Sequence, residues 1–348
     1  MPTASGGGTK RCHNLFCVVN LRRAWHKFIK GKKKRKDIVD FAKNLNANFF
    51  DIQRLLATKE YEHGSYQSFY VHDPKKRHIH KAEVRDRIIH QALVNTLEPI
   101  FEPQFIFDSY ASRKSKGTHR AVKRLYYFAR KASKNYKKNC FVLKCDIKKY
   151  FDSIGHDILL QIIGKTVKDV DILGLVESII RSFEATNGRG LPLGNVTSQI
   201  FSNIYLNELD QFIKRNLRVK YYIRYNDDFV ILDEERETLE CYLPVIKDFL
   251  EMRLKLTLHP KKVGIHKYAQ GIEFLGYVCL PHYILPKTRT KRRILKKIKK
   301  RICELERGDI SEETFKQSVQ SYFGFLSHAK TKRLVEKLKN TIWFWLGK

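Results

Sequence analysis

Apolar residues over the first hundred positions recur at helical spacing. From NLRRAWHKFIKGKKKRKDIVDFAKNL (20–45) to EVRDRIIHQALVNTLEPIF (83–101) the pattern predicts helices, interrupted by an extended patch at YQSFYVHD (66–73) and a basic loop at GKKKRK (31–36). A second helical stretch covers THRAVKRLYYFARKAS (118–133), after which FVLKCDI (141–147) alternates as a half-buried strand. IFSNIYLNELDQFIKRNL (200–217) returns to helical spacing, with Phe201, Tyr205, Leu209 and Phe212 among its apolar positions. In YYIRYNDDFVIL (221–232), two runs rich in β-branched and aromatic residues flank Asn226-Asp227, good chemistry for a tight hairpin turn. A helix over VIKDFLEMRL (245–254) and short strands around GIEFLGYVCL (271–280) follow. Between Lys287 and Arg301 ten of fifteen residues are lysine or arginine, while Ile294, Ile298 and Ile302 fall every fourth position. That predicts a helix with one narrow apolar stripe and an otherwise basic surface.

Composition then narrows the partner. At 348 residues, with 43% hydrophobic and 12% aromatic residues, the chain can bury a full core and is not disordered. Sixty-eight lysines and arginines face 36 acidic residues, a formal charge of +32. Such an excess opposes compaction by self-repulsion and points to a polyanionic partner, nucleic acid before an anionic membrane surface. The N-terminus lacks a secretory apolar segment, and MPTASGGGTK begins a flexible tail expected over residues 1–15. Seven scattered cysteines, with Cys12 and Cys17 unmatched by a second pair at zinc spacing, are read as reduced. The expectation is a soluble, intracellular, nucleic-acid-handling protein without a membrane partner.

The two adjacent aspartates of the hairpin change the picture. Asp227 and Asp228 sit at the centre of a run that otherwise wants burial, and Asp146 ends the alternating strand 141–147. One such acid is usually a satisfied structural residue. Antiparallel packing of the two strands would converge Asp146 with Asp227 and Asp228, and three carboxylates in a small volume need a cation. Two Mg²⁺ ions about 3.5–4 Å apart meet that need and serve phosphoryl transfer.

The order CDIKKYF, GLPLGNVTSQ, YNDD, LHPKK, EFLGY resembles the reverse transcriptases of the group II intron-like bacterial lineage, and KKRHIHKAEVRDRIIHQAL…LEPIFEPQF is similar to that lineage's fingers region. DSYASRKSKGTHRAV and LGNVTSQ resemble, more narrowly, the reverse transcriptases of diversity-generating retroelements. The resemblance covers residues 20–330. It implies an α+β right-hand polymerase: an N-terminal tail over 1–15, fingers (37–140 and 165–199) and an antiparallel-sheet palm (141–164 and 200–280) within 16–280, and a helical basic thumb over 281–348. No endonuclease or DNA-binding domain is expected after Lys348, which argues against a complete intron-encoded protein.

Matched residue by residue, the resemblance implies that Asp146 and Asp227 ligate metal, with Asp228 completing the acidic cluster and the Ile147 carbonyl a further ligand. The cofactor would be two Mg²⁺ ions, with Mn²⁺ able to substitute. Phe151, five residues after Asp146, would exclude a 2′-hydroxyl by clash. Arg77, assisted by Lys75 or Lys76, would grip the triphosphate; Lys262, or its neighbour Lys261, would protonate pyrophosphate. Leu193, Gly194 and Ser198 would form the loop under the nascent base pair, where glycine permits close approach, and Tyr225 would contact the nucleotide. Arg113 and Lys116, with Lys291, Arg292, Lys296 and Lys299 on the basic helix, would contact nucleic acid.

Leucine at 193, where most other reverse transcriptases carry glutamine, offers shape but no hydrogen bond. It therefore predicts weaker discrimination and low fidelity. The leading expectation is an RNA-directed DNA polymerase that copies a template-repeat RNA, from a DNA or RNA primer with dNTPs, into adenine-mutagenised cDNA for mutagenic retrohoming. A small, oligomeric, basic accessory variability protein is the implied partner, and a bacterial or phage-encoded cytoplasmic protein the implied setting. The alternatives are a phage-defence or other group II-like reverse transcriptase, and a non-catalytic RNA-binding module that would have no need of the acid cluster.

Overall fold

The structure, a computed structural model, describes residues 17–72 and 75–346. The expected tail and Cys12 lie outside the described residues. Among the described residues helices are joined by three antiparallel sheets, so the fold is α+β as the pattern predicts. No helix among the described residues is long and apolar enough to cross a membrane. The chain divides into two compact units.

The first unit draws on the described residues up to Phe107, on Ile147–Phe212 and on Asp248–Thr257. It holds α1 (Val18–Phe28), α2 (Lys36–Lys43), α3 (Leu45–Ala57), strands β1 (Gln67–Val71) and β2 (Arg77–Lys81), α4 (Val84–Phe101), and, from its second segment, α6 (Tyr150–Ser153), α7 (His156–Thr166), α8 (Val170–Arg181) and α9 (Val196–Gln211). α4 buries Ile88, Ile89, Ala92, Leu93 and Leu97 completely, too much for one stripe, which marks it as a central helix. β1 and β2 form a two-stranded hairpin in which Tyr70 lies opposite His78. Residues 67–71 of the expected extended patch are therefore one strand of an antiparallel pair whose second strand, RHIHK, has no apolar alternation to announce it.

A buried polar cluster sits beside α4. The Tyr61 hydroxyl and the Gly64 amide both donate to the Asp86 carboxylate, at 3.0 and 3.1 Å. His90 is fully buried, with its Nε2 3.1 Å from Nε2 of His63. Burial, reinforced by the charges of His63 and Arg87, depresses the His90 pKa to about 3. An unfolded histidine titrates near 6.5. The unfolded chain therefore binds one more proton than the fold between these values, and stability is complete above pH 6.5 and lost as pH falls toward 3. His90→Gln is expected to remove up to one proton, about 1.4 kcal/mol per pH unit, from the slope of unfolding free energy over that window. Urea titrations at several pH values read it, and an unchanged slope would sink the assignment.

The second unit comprises Asp108–Asp146, Ile213–Lys247 and Leu258–Lys348. Its core is a four-stranded sheet of order β4-β5-β3-β6, made of β3 (Phe141–Asp146), β4 (Tyr221–Tyr225), β5 (Asp228–Asp233) and β6 (Gly264–Lys267). On one face Val142, Ile223, Val230 and Leu232 pack with Ala121, Val122, Leu125 and Phe128 of α5 (Thr118–Ala132). Leu143, Cys145, Tyr222, Phe229 and Ile231 are fully buried as well. β3 is therefore covered on both sides, not half-buried as its alternation suggests. Lys144, the residue that creates the alternation, donates through its ammonium to the Glu273 carbonyl at 2.9 Å.

A three-stranded meander, β7 (Ile272–Phe274), β8 (Tyr277–Leu280) and β9 (Tyr283–Pro286), leads into α11 (Thr288–Glu306), α12 (Glu312–Leu326) and α13 (Lys332–Leu346). Ile294, Ile298 and Ile302 meet Phe315, Val319, Leu326 and Leu338 in one cluster, as their spacing predicts. α10 (Arg236–Arg253) begins nine residues before the expected VIKDFLEMRL helix and takes Pro244 into its interior. Proline there removes a hydrogen bond. The fully buried Leu239, Ile246 and Leu250 hold the helix together across it.

Candidate active site

The site is built on the register of two strands. β3 and β5 run antiparallel with Asp146 directly opposite Asp228, and Tyr225 lies opposite Asp228 across the β4–β5 hairpin. The two-residue turn places Asn226 at φ 57°, a left-handed conformation that asparagine tolerates. Its side-chain amide donates to Asp227 Oδ1 at 3.3 Å. Tyr225 accepts a hydrogen bond from the Thr118 hydroxyl at 3.1 Å.

The prop beneath this turn is Arg224, which is fully buried. Its guanidinium donates to the Asn226 carbonyl at 3.2 Å, and its main chain exchanges hydrogen bonds with Asp108 and Tyr110 at 3.0 and 2.9 Å. No role for Arg224 follows from the motif order. The signal available was a single cation inside an otherwise apolar run.

Electrostatics at the strand ends are those of crowded carboxylates. Burial pushes the Asp228 carboxyl up to about 6; the charges of Asp146 and Asp227 raise it further, and Lys144 and Lys262 pull it back. Asp146 accepts the Lys262 ammonium at 2.6 Å. The lysine is delivered by its loop: the Asp146 carbonyl accepts the His259 amide at 2.8 Å, and the His259 carbonyl accepts the Lys262 amide at 3.0 Å. The Lys261 amide instead bonds His259 Nδ1 at 3.2 Å, so of the two candidate lysines it is Lys262 whose ammonium meets the acids.

The expected convergence of three carboxylates is corrected in one respect. Among the described residues no three aspartate, glutamate, histidine or cysteine side chains close into a metal-holding group. Asp146 and Asp228 are in register, but Asp146 is drawn to Lys262 and Asp227 takes the amide of Asn226. The donor chemistry still suits a hard divalent cation. Asp146 and Asp228 stand opposite each other across a strand pair, one raised in pKa chiefly by burial and one already gripping a cation. Ile147, the next residue after Asp146, is buried.

In the first unit, the segment 191–198 is strapped to β2. His80 donates its amide to the Leu193 carbonyl at 2.9 Å and accepts the Asn195 side-chain amide at 2.9 Å. Gly194 has φ 115°, and a Cβ there would stand 2.8 Å from Ile79 Cγ2, so both conformation and space require glycine. Ser198 is buried, with its hydroxyl donating to the Pro192 carbonyl at 2.7 Å; it braces the loop from within. Phe151 lies in a short helix, α6 (Tyr150–Ser153), and its carbonyl accepts the Leu191 amide at 2.8 Å. Thus Phe151, Leu193, Gly194, Ser198 and the base of β2 are brought together. Arg77 is exposed at the start of β2, and the Lys76 ammonium lies 4.2 Å over the Tyr70 ring.

Among the remaining candidates, the Arg113 guanidinium donates to the Ser109 carbonyl at 2.8 Å, and the Lys116 ammonium lies 5.1 Å over the Tyr110 ring. On α11, Arg292, Lys296 and Lys299 are exposed and Lys291 half-buried, all off the buried isoleucine stripe.

Comparison with known proteins agrees with this geometry. The family described as reverse transcriptase (RNA-dependent DNA polymerase) matches residues 72–279. Protein YkfC of Escherichia coli is 27% identical over 233 residues, covering 56% of this chain and 60% of that protein. The group II intron-encoded protein LtrA of Lactococcus lactis subsp. cremoris is 24% identical over 260 residues, covering 55% of this chain and 42% of LtrA. The chain thus spans less than two thirds of the length of these relatives. Apo telomerase from Candida tropicalis superposes with a TM-score of 0.50 at 13% identity, over 67% of this chain and 49% of telomerase, a likeness of fold alone.

Arg224→Met keeps the apolar stem and deletes the donor under the turn. It is expected to cost about 1–3 kcal/mol by leaving buried acceptors unsatisfied, read as a lower urea midpoint at unchanged slope. A midpoint equal to wild type would show that the turn does not lean on the guanidinium.

Proposed function

The chain belongs to the reverse transcriptase (RNA-dependent DNA polymerase) family, with relatives among group II intron-encoded proteins, and on that premise we propose that it is itself an RNA-directed DNA polymerase. Its right-hand polymerase fold would comprise fingers, a palm on the four-stranded sheet and a thumb on α11–α13. The observation that carries the proposal is the in-register pair Asp146–Asp228, with the Lys262 ammonium on Asp146.

Asp146, Asp227 and the Ile147 carbonyl would hold divalent ions, Mg²⁺ with Mn²⁺ as a substitute, and Asp228 would complete the negative field. When bound, such ions polarise phosphoryl oxygens and neutralise charge developing on attacking and leaving groups. Lys262 is the residue we assign to protonate the departing pyrophosphate, since its ammonium already lies against the acids. Arg77 and Lys76 would pair with the triphosphate of the incoming dNTP, and Tyr225 would contact the nucleotide. Phe151, fixed through its carbonyl to Leu191, would present a ring that clashes with a 2′-hydroxyl. Leu193, Gly194 and Ser198 would shape the floor under the nascent pair, and Arg113, Lys116, Lys291, Arg292, Lys296 and Lys299 would hold template and primer backbone.

The specific role we propose is copying of a template-repeat RNA into adenine-mutagenised cDNA, with a small basic oligomeric accessory protein as partner. Support comes from LGNVTSQ and from Leu193, an apolar side chain whose backbone is fixed by His80. The similarity to LtrA favours as second reading a group II-like reverse transcriptase without the mutagenic role.

Primer extension on an RNA template with Mg²⁺ and dNTPs tests the activity. Wild type is expected to make cDNA, and Asp227→Ala/Asp228→Ala to lose at least a thousandfold in rate, on the scale of losing preorganised charge stabilisation. An undiminished double variant would reject the site. Sequencing the products tests the role: errors should concentrate at template adenines. Leu193→Gln should lower that error rate roughly tenfold, the equivalent of a single hydrogen bond's discrimination. Evenly spread errors, or a Leu193→Gln enzyme as error-prone as wild type, would favour the second reading.

A further inference from the structure

We propose that the outward face of α5, from Arg120 to Lys131, is a binding site for unpaired RNA lying outside the primer–template duplex. The inference rests on the reading of the chain as an enzyme of RNA templates and adds a surface that the catalytic motifs do not include.

The sequence around α5 is unusual in its charge. From Ser109 to Cys145 there is no aspartate or glutamate and there are twelve lysines and arginines. A solvated helix face ordinarily alternates signs, because like charges three or four residues apart destabilise the helix. On α5 the inner face, Ala121, Val122, Leu125, Phe128 and Ala129, is buried in the sheet core. The outer face offers Arg120, Lys123, Arg130 and Lys131, all exposed. Among the described residues no carboxylate pairs with Lys123, Arg130 or Lys131. These four cations span roughly 16 Å of helix axis at 1.5 Å per residue. An unrelieved basic face of this length is suited to a counter-charge from a polyanion.

An aromatic ring in the middle of that face makes the partner more specific. Tyr127 is 45% exposed, with the Arg124 guanidinium 5.4 Å and the Lys131 ammonium 5.7 Å from its ring centroid. Its neighbour Tyr126 lies with Tyr136, 6.3 Å between ring centroids, and Arg124 is tied to Asp108 at 2.8 Å. An exposed ring flanked by cations is the arrangement on which an unstacked base lies while its phosphates are neutralised on either side. A duplex, whose bases are already stacked, makes no use of the ring. Beyond the helix Lys134, Asn135 and Tyr136 are all left-handed, at φ 50°, 60° and 65°, and the chain turns away. There Glu234 takes the ammonium groups of Lys134 and Lys138 at 3.4 and 3.6 Å, so the basic face ends at Lys131.

The test compares a blunt primer–template duplex with the same duplex carrying a single-stranded RNA extension, binding being followed by anisotropy across a salt series. Wild type should bind the extended substrate more tightly. The Lys123→Ala/Arg130→Ala/Lys131→Ala variant should lose at least tenfold on the extended substrate, with a salt slope shallower by about 2, and bind and extend the blunt duplex like wild type. Tyr127→Ala should lose about tenfold on the extended substrate only, while Tyr127→Phe, which keeps the ring, should match wild type. Equal losses on both substrates, a Tyr127→Phe as weak as Tyr127→Ala, or no advantage of the extension in wild type would each overturn the proposal. Failure of wild type to extend any primer would reject the polymerase reading while leaving the binding comparison intact.

Discussion

Like charges held face to face are the constraint on which this molecule is organised. Hydrogen bonding between β3 and β5 sets Asp146 opposite Asp228, a juxtaposition that repulsion in water would undo. Burial of the sheet on both faces makes the register costly to slip, since a one-residue shift would break the close packing on each face at once. The acids are then balanced locally. Lys262 reaches Asp146 from a loop anchored on the Asp146 carbonyl itself, Lys144 contributes field at Asp228, and Arg224 fixes the turn from below. A hydrophobic sheet thus holds a polar site in a state that the polar groups alone would not adopt.

The rest of the charge follows a different rule. Two of the less exposed cations are matched to specific acceptors, Arg224 to the carbonyl of Asn226 and Arg124 to Asp108. The exposed excess lies on helices whose apolar sides are committed to packing: α11 through its isoleucine stripe, α5 through its alanines and Phe128. Packing therefore orients these helices, and the net charge of +32 is carried outward, where a phosphate backbone could neutralise it at the expense of salt sensitivity.

The Leu193 loop is held by contacts that do not involve the leucine side chain. Two hydrogen bonds to His80 and the close approach of Ile79 to Gly194 bind this loop to the exposed β1–β2 hairpin. A movement of that hairpin would be felt at the Leu193 carbonyl without any change in the leucine itself.

What the sequence determined by itself was whatever depends on periodicity and short-range turn chemistry. The hairpin at Asn226-Asp227, the basic helix with its isoleucines inward, the helices 118–133 and 200–217, and the nearness of Asp146 to the doublet all follow from local pattern plus antiparallel pairing. The motif order carried the family as well. Tertiary structure alone decided which of Lys261 and Lys262 meets the acids, because that depends on how a loop hangs from a carbonyl 113 positions upstream (259 − 146). It alone made Arg224 a prop, buried β3 on both faces, carried α10 through Pro244, and turned the Ser198 hydroxyl inward to Pro192. Each of these depends on partners far apart in the chain. A side chain's neighbours across such distances are set by packing, to which propensity and periodicity are blind.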